Sequence, residues 1–543
     1  MLNYQTVNIL VVDDQRPFQL MIKGMLQNLG AKSIQFASTG EQALQKCNET
    51  MFDMLFVDYN LGPGKNGRQL LEDLRNKQLL KPLSVYVIVT GDSSRPMVIG
   101  AVECQPDDYL IKPFSQSLLK SRVQKVYDRK KALAPVFSAI ETGNLKKIAF
   151  TCEQVATNNS RYRQHCLKLL SDIFIKHDKA DKAKEILSNE LQKKRVTWAL
   201  LAMARIERDA DHYDESLKLC EEVLSHNSMV VDAYDIKAQN YIEQNKPAEA
   251  LKEIKHAADL SPYSIDRQHM LCDVARENGR YDLVVTACAT MMDMTKRITG
   301  QEPDYLVEYM RSILDAVEHS EDSRDKGNFL QEFKLALQRC KKDEQHYKDF
   351  NYSQFEQLCQ ARMQAITGKL QESKKTLYSA GVMSNEQNND LPIPTMLLPD
   401  CISVLLNLGE FEQAQAMTKH LPPEFHEQQG SYLLEENMEK CKEKMKQFNA
   451  ALSHGINNYK ESAYIEAIED FDKALELAPM NTGAALNLIQ AIMQLIKQDK
   501  KQKTPEVQEK CKATFGIVDG IELPEEHQKR YKELKAEFDK VFA

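Results

Sequence analysis

At 543 residues the chain is too long for one ordinary hydrophobic core, so at least two domains, or one domain and a repeat array, are expected. No stretch approaches the ~18 apolar residues of a membrane-spanning helix, and the start, Met1-Leu-Asn-Tyr-Gln-Thr, lacks the basic and apolar regions of a signal peptide; a cytoplasmic protein without membrane insertion is expected. Residues 1–127 carry 14 Lys+Arg against 12 Asp+Glu and leave 57 against 67 for residues 128–543, an acidic balance that speaks against DNA binding.

The first part alternates short apolar runs with helical patterns. Asn8-Ile-Leu-Val-Val-Asp13, Met54-Leu-Phe-Val-Asp58, Ser84-Val-Tyr-Val-Ile-Val-Thr90 and Asp108-Tyr-Leu-Ile-Lys112 are β-rich without strict alternation, as in a parallel sheet buried on both faces. A weaker fifth run, Ser33-Ile-Gln-Phe-Ala37, fits between the first two, and helical stretches such as 17–29 and 40–50 separate them. The expected order is βαβαβαβαβα, a doubly wound α/β fold.

Asp13 with Asp14, Asp58, Thr90 and Lys112 each fall where an apolar run ends, and ligands of open α/β sheets bind at the carboxyl ends of the strands. A lone acid there is usually a helix cap or turn former; five such residues delivered by four runs do not share that explanation. Three gathered carboxylates repel one another and suit a hard divalent cation, Mg²⁺ or Mn²⁺, which would also let an anionic phosphoryl group approach Asp58. Asp92, two residues past Thr90, reads equally as a cap with Ser93 and Ser94.

Val12-Asp13-Asp14, Val57-Asp58-Tyr59-Asn60, Thr90-Gly91 and Ile111-Lys112-Pro113 together resemble the receiver family of bacterial two-component response regulators, over about residues 5–127. The resemblance implies a flavodoxin-like (βα)5 domain at 1–127, phosphorylated on Asp58 by a sensor histidine kinase. It assigns Mg²⁺ to Asp13, Asp14, Asp58 and the backbone carbonyl of Asn60. Thr90 would hydrogen-bond the phosphoryl oxygens, Lys112 would pair with them, Tyr109 would be the aromatic switch residue, and Pro113 would follow a cis bond.

Beyond, nothing is strand-like. Small residues recur at Ala183, Ser216, Ala250 and Val284, each followed four residues later by Leu187, Cys220, Ile254 or Cys288. The clearest unit spans 231–262, with Ala238, Tyr241, Ala250, Ala257 and Pro262; another at 448–481 has Gly455, Ala467, Phe471, Ala474 and Pro479. Small residues let antiparallel helices approach closely, and the Pro ends the second helix. This period resembles the tetratricopeptide repeat family, implying an all-α solenoid over 136–543, clearest at 163–296 and 448–481. Gly143, Gly279, Gly368 and Gly409 look like intra-repeat turns, whereas 301–351, 385–394 and 500–543 read as irregular helices or insertions.

Residues 128–135 carry helical residues rather than a Gly/Ser linker, so the last receiver helix is expected to run on and couple the domains stiffly. The twelve scattered cysteines form no CxxC pair and read as buried, reduced thiols. No P-loop, HExxH or nucleophile motif is present, and Glu249-Ala-Leu251, the tripeptide that names a class of cyclic-dinucleotide phosphodiesterases, lies inside the best repeat, where Ala250 is the packing residue. The expected function is therefore a phosphorylation switch rather than a conventional enzyme, acting on a protein partner bound by the solenoid. The alternative is a modulator or phosphate sink that holds the kinase or regulator of another two-component pathway. A homodimer is left open.

Overall fold

The computed structural model describes residues 2–62, 64–92, 94–158, 160–295, 303–342, 347, 350–381, 393–421, 431–521 and 523–542. They fall into two compact units, Met1–Gln301 and Glu302–Ala543.

The first unit begins with five parallel strands, β1 (Asn8–Val12), β2 (Ser33–Ala37), β3 (Met54–Asp58), β4 (Val85–Thr90) and β5 (Asp108–Ile111), in the order β2-β1-β3-β4-β5. Between them run α1 (Arg16–Asn28), α2 (Gly40–Glu49), α3 (Gly67–Asn76) and α4 (Arg95–Glu103). Successive side chains enter separate cores: Leu10, Leu55, Val57, Tyr86 and Ile88 pack on one face of the sheet, Ile9, Val11, Phe56, Val85 and Val87 on the other. Both faces are covered, which is why these strands show no polar alternation in the sequence. Two of these helices start where side chains satisfy their first amides. Thr39 caps α2, and Asn66 with Gln69 forms a reciprocal capping box on α3.

α5 (Gln116–Glu141) is capped by Ser115 and continues through residues 128–135 without interruption. Its first half gives Leu119, Val123 and Val126 to the core beneath the sheet. Its second half gives Leu133, Val136 and Ala139 to a helical core. One rigid element is thus shared by two cores, and each buried Leu or Val contributes about 1.5–3 kcal/mol of burial.

After α6 (Leu145–Asn158) the helices pair regularly. The first members are α7 (Arg163–Lys176), α9 (Thr197–Asp209), α11 (Val231–Glu243) and α13 (Ile265–Glu277). The second members are α8 (Ala180–Lys193), α10 (Tyr213–His226), α12 (Pro247–Leu260) and α14 (Tyr281–Thr295). Ala183, Ser216, Ala250 and Val284 occupy the same position in the four second helices, and all are wholly buried. At α10 the Ser216 hydroxyl donates to the Ala204 carbonyl (2.7 Å) and accepts from Asn240 Nδ2 (2.8 Å), so the small residue also satisfies a buried polar group.

The second unit is all-helical. It comprises α15 (Asp304–His319), α16 (Ser323–Lys342), α17 (Tyr352–Ile366), α18 (Leu370–Ser379), α19 (Leu398–Leu408), α20 (Phe411–Thr418), α21 (Ser431–Lys460), α22 (Tyr464–Leu477), α23 (Thr482–Gln498), α24 (Pro505–Gly516) and α25 (Glu525–Phe542). Regular helices α15 and α16 occupy much of the segment read as irregular over 301–351, and α24 and α25 fill most of 500–543; residues 385–392 lie outside the described residues. Gly455 of α21 is needed where it stands, because a Cβ there would lie 2.6 Å from the Phe471 ring of α22. Two buried polar centres hold the unit. Arg311 and Arg362 converge on Asp400, Arg362 also reaching Asp315, and Lys374 pairs with Glu410 at 2.8 Å. None of the described helices is long and apolar enough to cross a membrane. None of the twelve cysteines is in a disulfide, and eleven are buried.

Candidate functional site

Asp13 and Asp14 follow β1, Asp58 ends β3, Thr90 ends β4 and Lys112 follows β5, so the sheet order brings all of them to one edge. Asp13 is fully buried and Asp58 nearly so, whereas Asp14 is exposed. Ligand oxygens of the three carboxylates lie within 4.8 Å of one another. Lys112 Nζ bridges two of them, 2.6 Å from Asp13 Oδ2 and 2.9 Å from Asp58 Oδ2. It also sits 3.9 Å from the centroid of the Phe18 ring, which fixes the ammonium from the α1 side.

Burial pushes the Asp58 carboxyl up to about 6, against the hydrogen bond and charge of Lys112, with Asp13 adding a repulsive push and the Asn60 backbone N–H donating to hold it down. Asp13 is positioned by its neighbours, its Oδ1 accepting from the Gln15 N–H (2.8 Å) and its carbonyl from Gln19 Nε2 (2.6 Å). Three carboxylates against one ammonium leave two negative charges, and the donors are all oxygen. That is the balance and the chemistry of a hard divalent cation.

Thr90 is buried, and its hydroxyl oxygen accepts from the Asp92 N–H at 3.1 Å. Asp92 in turn accepts from the Ser94 N–H at 2.7 Å, a turn-forming role that leaves it outside the acid cluster, while Ser93 lies outside the described residues. Half-buried Tyr109 donates its hydroxyl to the Asp92 carbonyl at 3.3 Å, so Thr90 and Tyr109 meet on one turn. Asn60 is exposed at the start of the next loop, and the Lys112–Pro113 bond is cis.

Two features escaped the sequence reading. Gly67 begins α3 directly beneath the site, where a Cβ would lie 2.4 Å from the Asp58 carbonyl oxygen. The other is a seam between α3 and α4 and the helical pairs. Arg267, at the start of α13 and 4% exposed, binds Glu103 of α4 at 2.6 Å. It also grips Asp235 of α11 in a two-pronged pair at 2.9 and 2.7 Å and donates to the Ser261 carbonyl at 2.8 Å. Gly100 of α4 faces Tyr263, Arg68 of α3 donates to the Tyr263 carbonyl, and Gln69 Nε2 reaches the Met294 carbonyl at 3.1 Å. Glu103 and Arg267 stand 164 residues apart, and no local pattern pairs them.

Residues 9–124 match the family described as response regulator receiver domain. The chain is 34% identical to the chemotaxis protein CheY of Pseudomonas aeruginosa over 123 residues, 23% of this chain and 98% of that protein. It is 33% identical to CheY-3 of Vibrio cholerae over 125 residues, 23% of this chain and 95% of that one. Among solved structures, the chemotaxis response regulator CheY4 of Vibrio cholerae shares 24% identity and a TM-score of 0.21, over 22% of this chain and 98% of that one.

Proposed function

The chain belongs, through residues 9–124, to the response regulator receiver domain family, and we propose that it is a phosphorylation switch whose helical array answers the state of Asp58 by binding a protein. The observation that carries this reading is the Asp13, Asp14, Asp58 and Lys112 constellation at one edge of the sheet. In the proposed step an Asp58 carboxylate oxygen attacks the phosphorus of a kinase phosphohistidine. The P–N bond breaks, its electron pair returns to the imidazole, and an acyl phosphate remains on Asp58. Asp13, Asp14, Asp58 and the Asn60 carbonyl would hold Mg²⁺, which when bound supplies positive charge to the phosphoryl oxygens. Lys112 pairs with the transferred group, and Thr90 turns its hydroxyl toward it. The chain modifies itself and performs no conventional turnover.

For the output, the helical pairs from α7 to α14 are read as tetratricopeptide-like, supported by the recurring buried small residues of their second helices. The Arg267 seam supports a direct route from receiver to array, because α4 lies immediately after the Thr90–Asp92 turn. Pull-downs from native cell extract with wild type, phosphorylated and unphosphorylated, and with Asp58→Ala test the reading. A partner whose recovery follows the phosphoryl group is expected; recovery of identical proteins in every state removes the switch, and retention of DNA instead of protein removes the output.

A further inference from the structure

Away from the phosphoacceptor edge, a cavity of about 240 Å³ opens where α5 passes the short turn Ser160–Tyr162 and the start of α7. Arg122, Lys125 and Arg129 line it from one face of α5, spaced three and four residues apart, and Arg161 closes it from the turn. Asp107 and Asp108 stand against these four cations, so a formal excess of two positive charges remains.

Both carboxylates are already engaged. Asp107 accepts from the Tyr86 N–H and from Lys130, each at 2.8 Å; Asp108 binds Arg122 Nη2 at 2.5 Å and accepts the Tyr109 N–H at 2.9 Å. Among the described residues, Lys125 and Arg161 take part in no ion pair, and the buried Nε–H of Arg122 finds no acceptor. Like charges gathered this way repel, and an anion entering between them removes the repulsion. Guanidinium forks fit the oxygens of phosphate in pairs.

We propose that this cavity binds a small phosphate monoester, a dianion that matches the charge excess. The cavity is below the roughly 300–1,000 Å³ of sites for drug-sized ligands, which favours a compact molecule. Tyr162 and Val126 supply an apolar wall for its carbon part. Arg122 also donates to the Tyr109 carbonyl on β5 at 3.1 Å, and Arg129 to the Asp107 carbonyl at 3.1 Å. A ligand that draws these two side chains toward itself therefore acts on the strand carrying Tyr109, an input separate from Asp58.

Titration calorimetry on the full chain carrying Asp58→Ala, in EDTA so that the acid cluster takes no part, uses glycerol phosphate as the probe, with sulfate and citrate at matched ionic strength as comparisons. Saturable one-to-one binding is expected, weakened at least about tenfold by the double substitution Lys125→Gln with Arg161→Gln. Both side chains are exposed, and an unchanged circular dichroism spectrum checks that the variant folds. No saturable heat, or equal affinity in the double variant, overturns the site; sulfate or citrate binding as tightly as glycerol phosphate overturns the monoester assignment.

Discussion

Asp58 is the carboxylate set apart by its surroundings: buried at a strand end, raised to about 6, and within reach of Lys112. Acetyl phosphate or a cognate kinase with Mg²⁺ is accordingly expected to label this one residue, and mass spectrometry of Asp58→Ala should find no label; label persisting there would move the phosphoacceptor elsewhere. Asp14 is the proposed cation ligand whose removal risks least, because it is exposed and carries no described hydrogen bond. Saturable Mg²⁺ binding followed by calorimetry should disappear in Asp14→Ala while the melting temperature holds. Gly67 permits a third test. A methyl group at 2.4 Å from the Asp58 carbonyl oxygen forces the end of β3 and the start of α3 apart, so Gly67→Ala should cost about 1–3 kcal/mol in denaturant titration and slow the labelling of Asp58. The acids were legible because each closes an apolar run, a pattern written along the chain. Gly67 was not, since its importance arises only when the loop after β3 folds back over Asp58.

The same contrast runs through the helices. Every turn inside a pair from α7 to α14 contains a residue with left-handed backbone, and the sequence revealed the one occupied by Gly279 (φ 64°) while hiding Asp178, Asp211 and Asn245 at φ 54°, 61° and 54°. Asp and Asn tolerate that region, so a search for glycines sees only part of the series. Ser462, between α21 and α22, is the costliest occupant: exposed, at φ 63°, with neither glycine's freedom nor an amide or carboxylate side chain. Ser462→Gly should therefore raise stability by about 0.5–1 kcal/mol in a thermal or denaturant melt; a loss would show that the hydroxyl has a use. In the buried centre of α15, α17 and α19, burial alone would raise the Asp400 carboxyl, but the charges of Arg311 and Arg362 overcome it and hold it below the ordinary carboxylate value. A depressed folded-state pKa stabilises above the unfolded value of about 3.9 and is lost as pH falls through the folded one. Hydrogen exchange across α15 and α19 should quicken as pH falls below about 4, once corrected for intrinsic rates, and Asp400→Asn, by taking from buried Arg311 the carboxylate it pairs with while Arg362 keeps Asp315, should quicken it already at neutral pH.

In the first unit the sheet and the helical pairs are joined by two routes. α5 gives one half to each core, which explains why a helical composition at 128–135 rather than a flexible linker was legible in the sequence. The second route, α4 against α13, depends on an arginine and a glutamate 164 residues apart and becomes visible only in three dimensions. Arg267 is nearly buried between Glu103 and Asp235, so removing it strands two partly buried carboxylates, whereas Glu103→Gln removes only the receiver's charge and leaves the Asp235 grip intact. If phosphorylation at Asp58 draws Thr90 inward, the Asp92 N–H loses its acceptor and the Tyr109 hydroxyl its fixed carbonyl, both at the turn that leads into α4. The modification adds about −1.5 to −2 charge, enough to bias that turn between two arrangements. Such coupling typically amounts to ~1–3 kcal/mol, equivalent to a 5- to 150-fold change in an equilibrium. With beryllium fluoride as the phosphoryl mimic, hydrogen exchange in α4 and across residues 261–270 should therefore rise by a factor in that range. Thr90→Ala should leave Asp58 open to modification yet blunt the rise, and Glu103→Gln should give fast exchange at the seam before any mimic is added. Equal exchange in the two states of wild type, with Glu103→Gln alone altered, would mean that the seam is structural and that the receiver speaks to the array through α5.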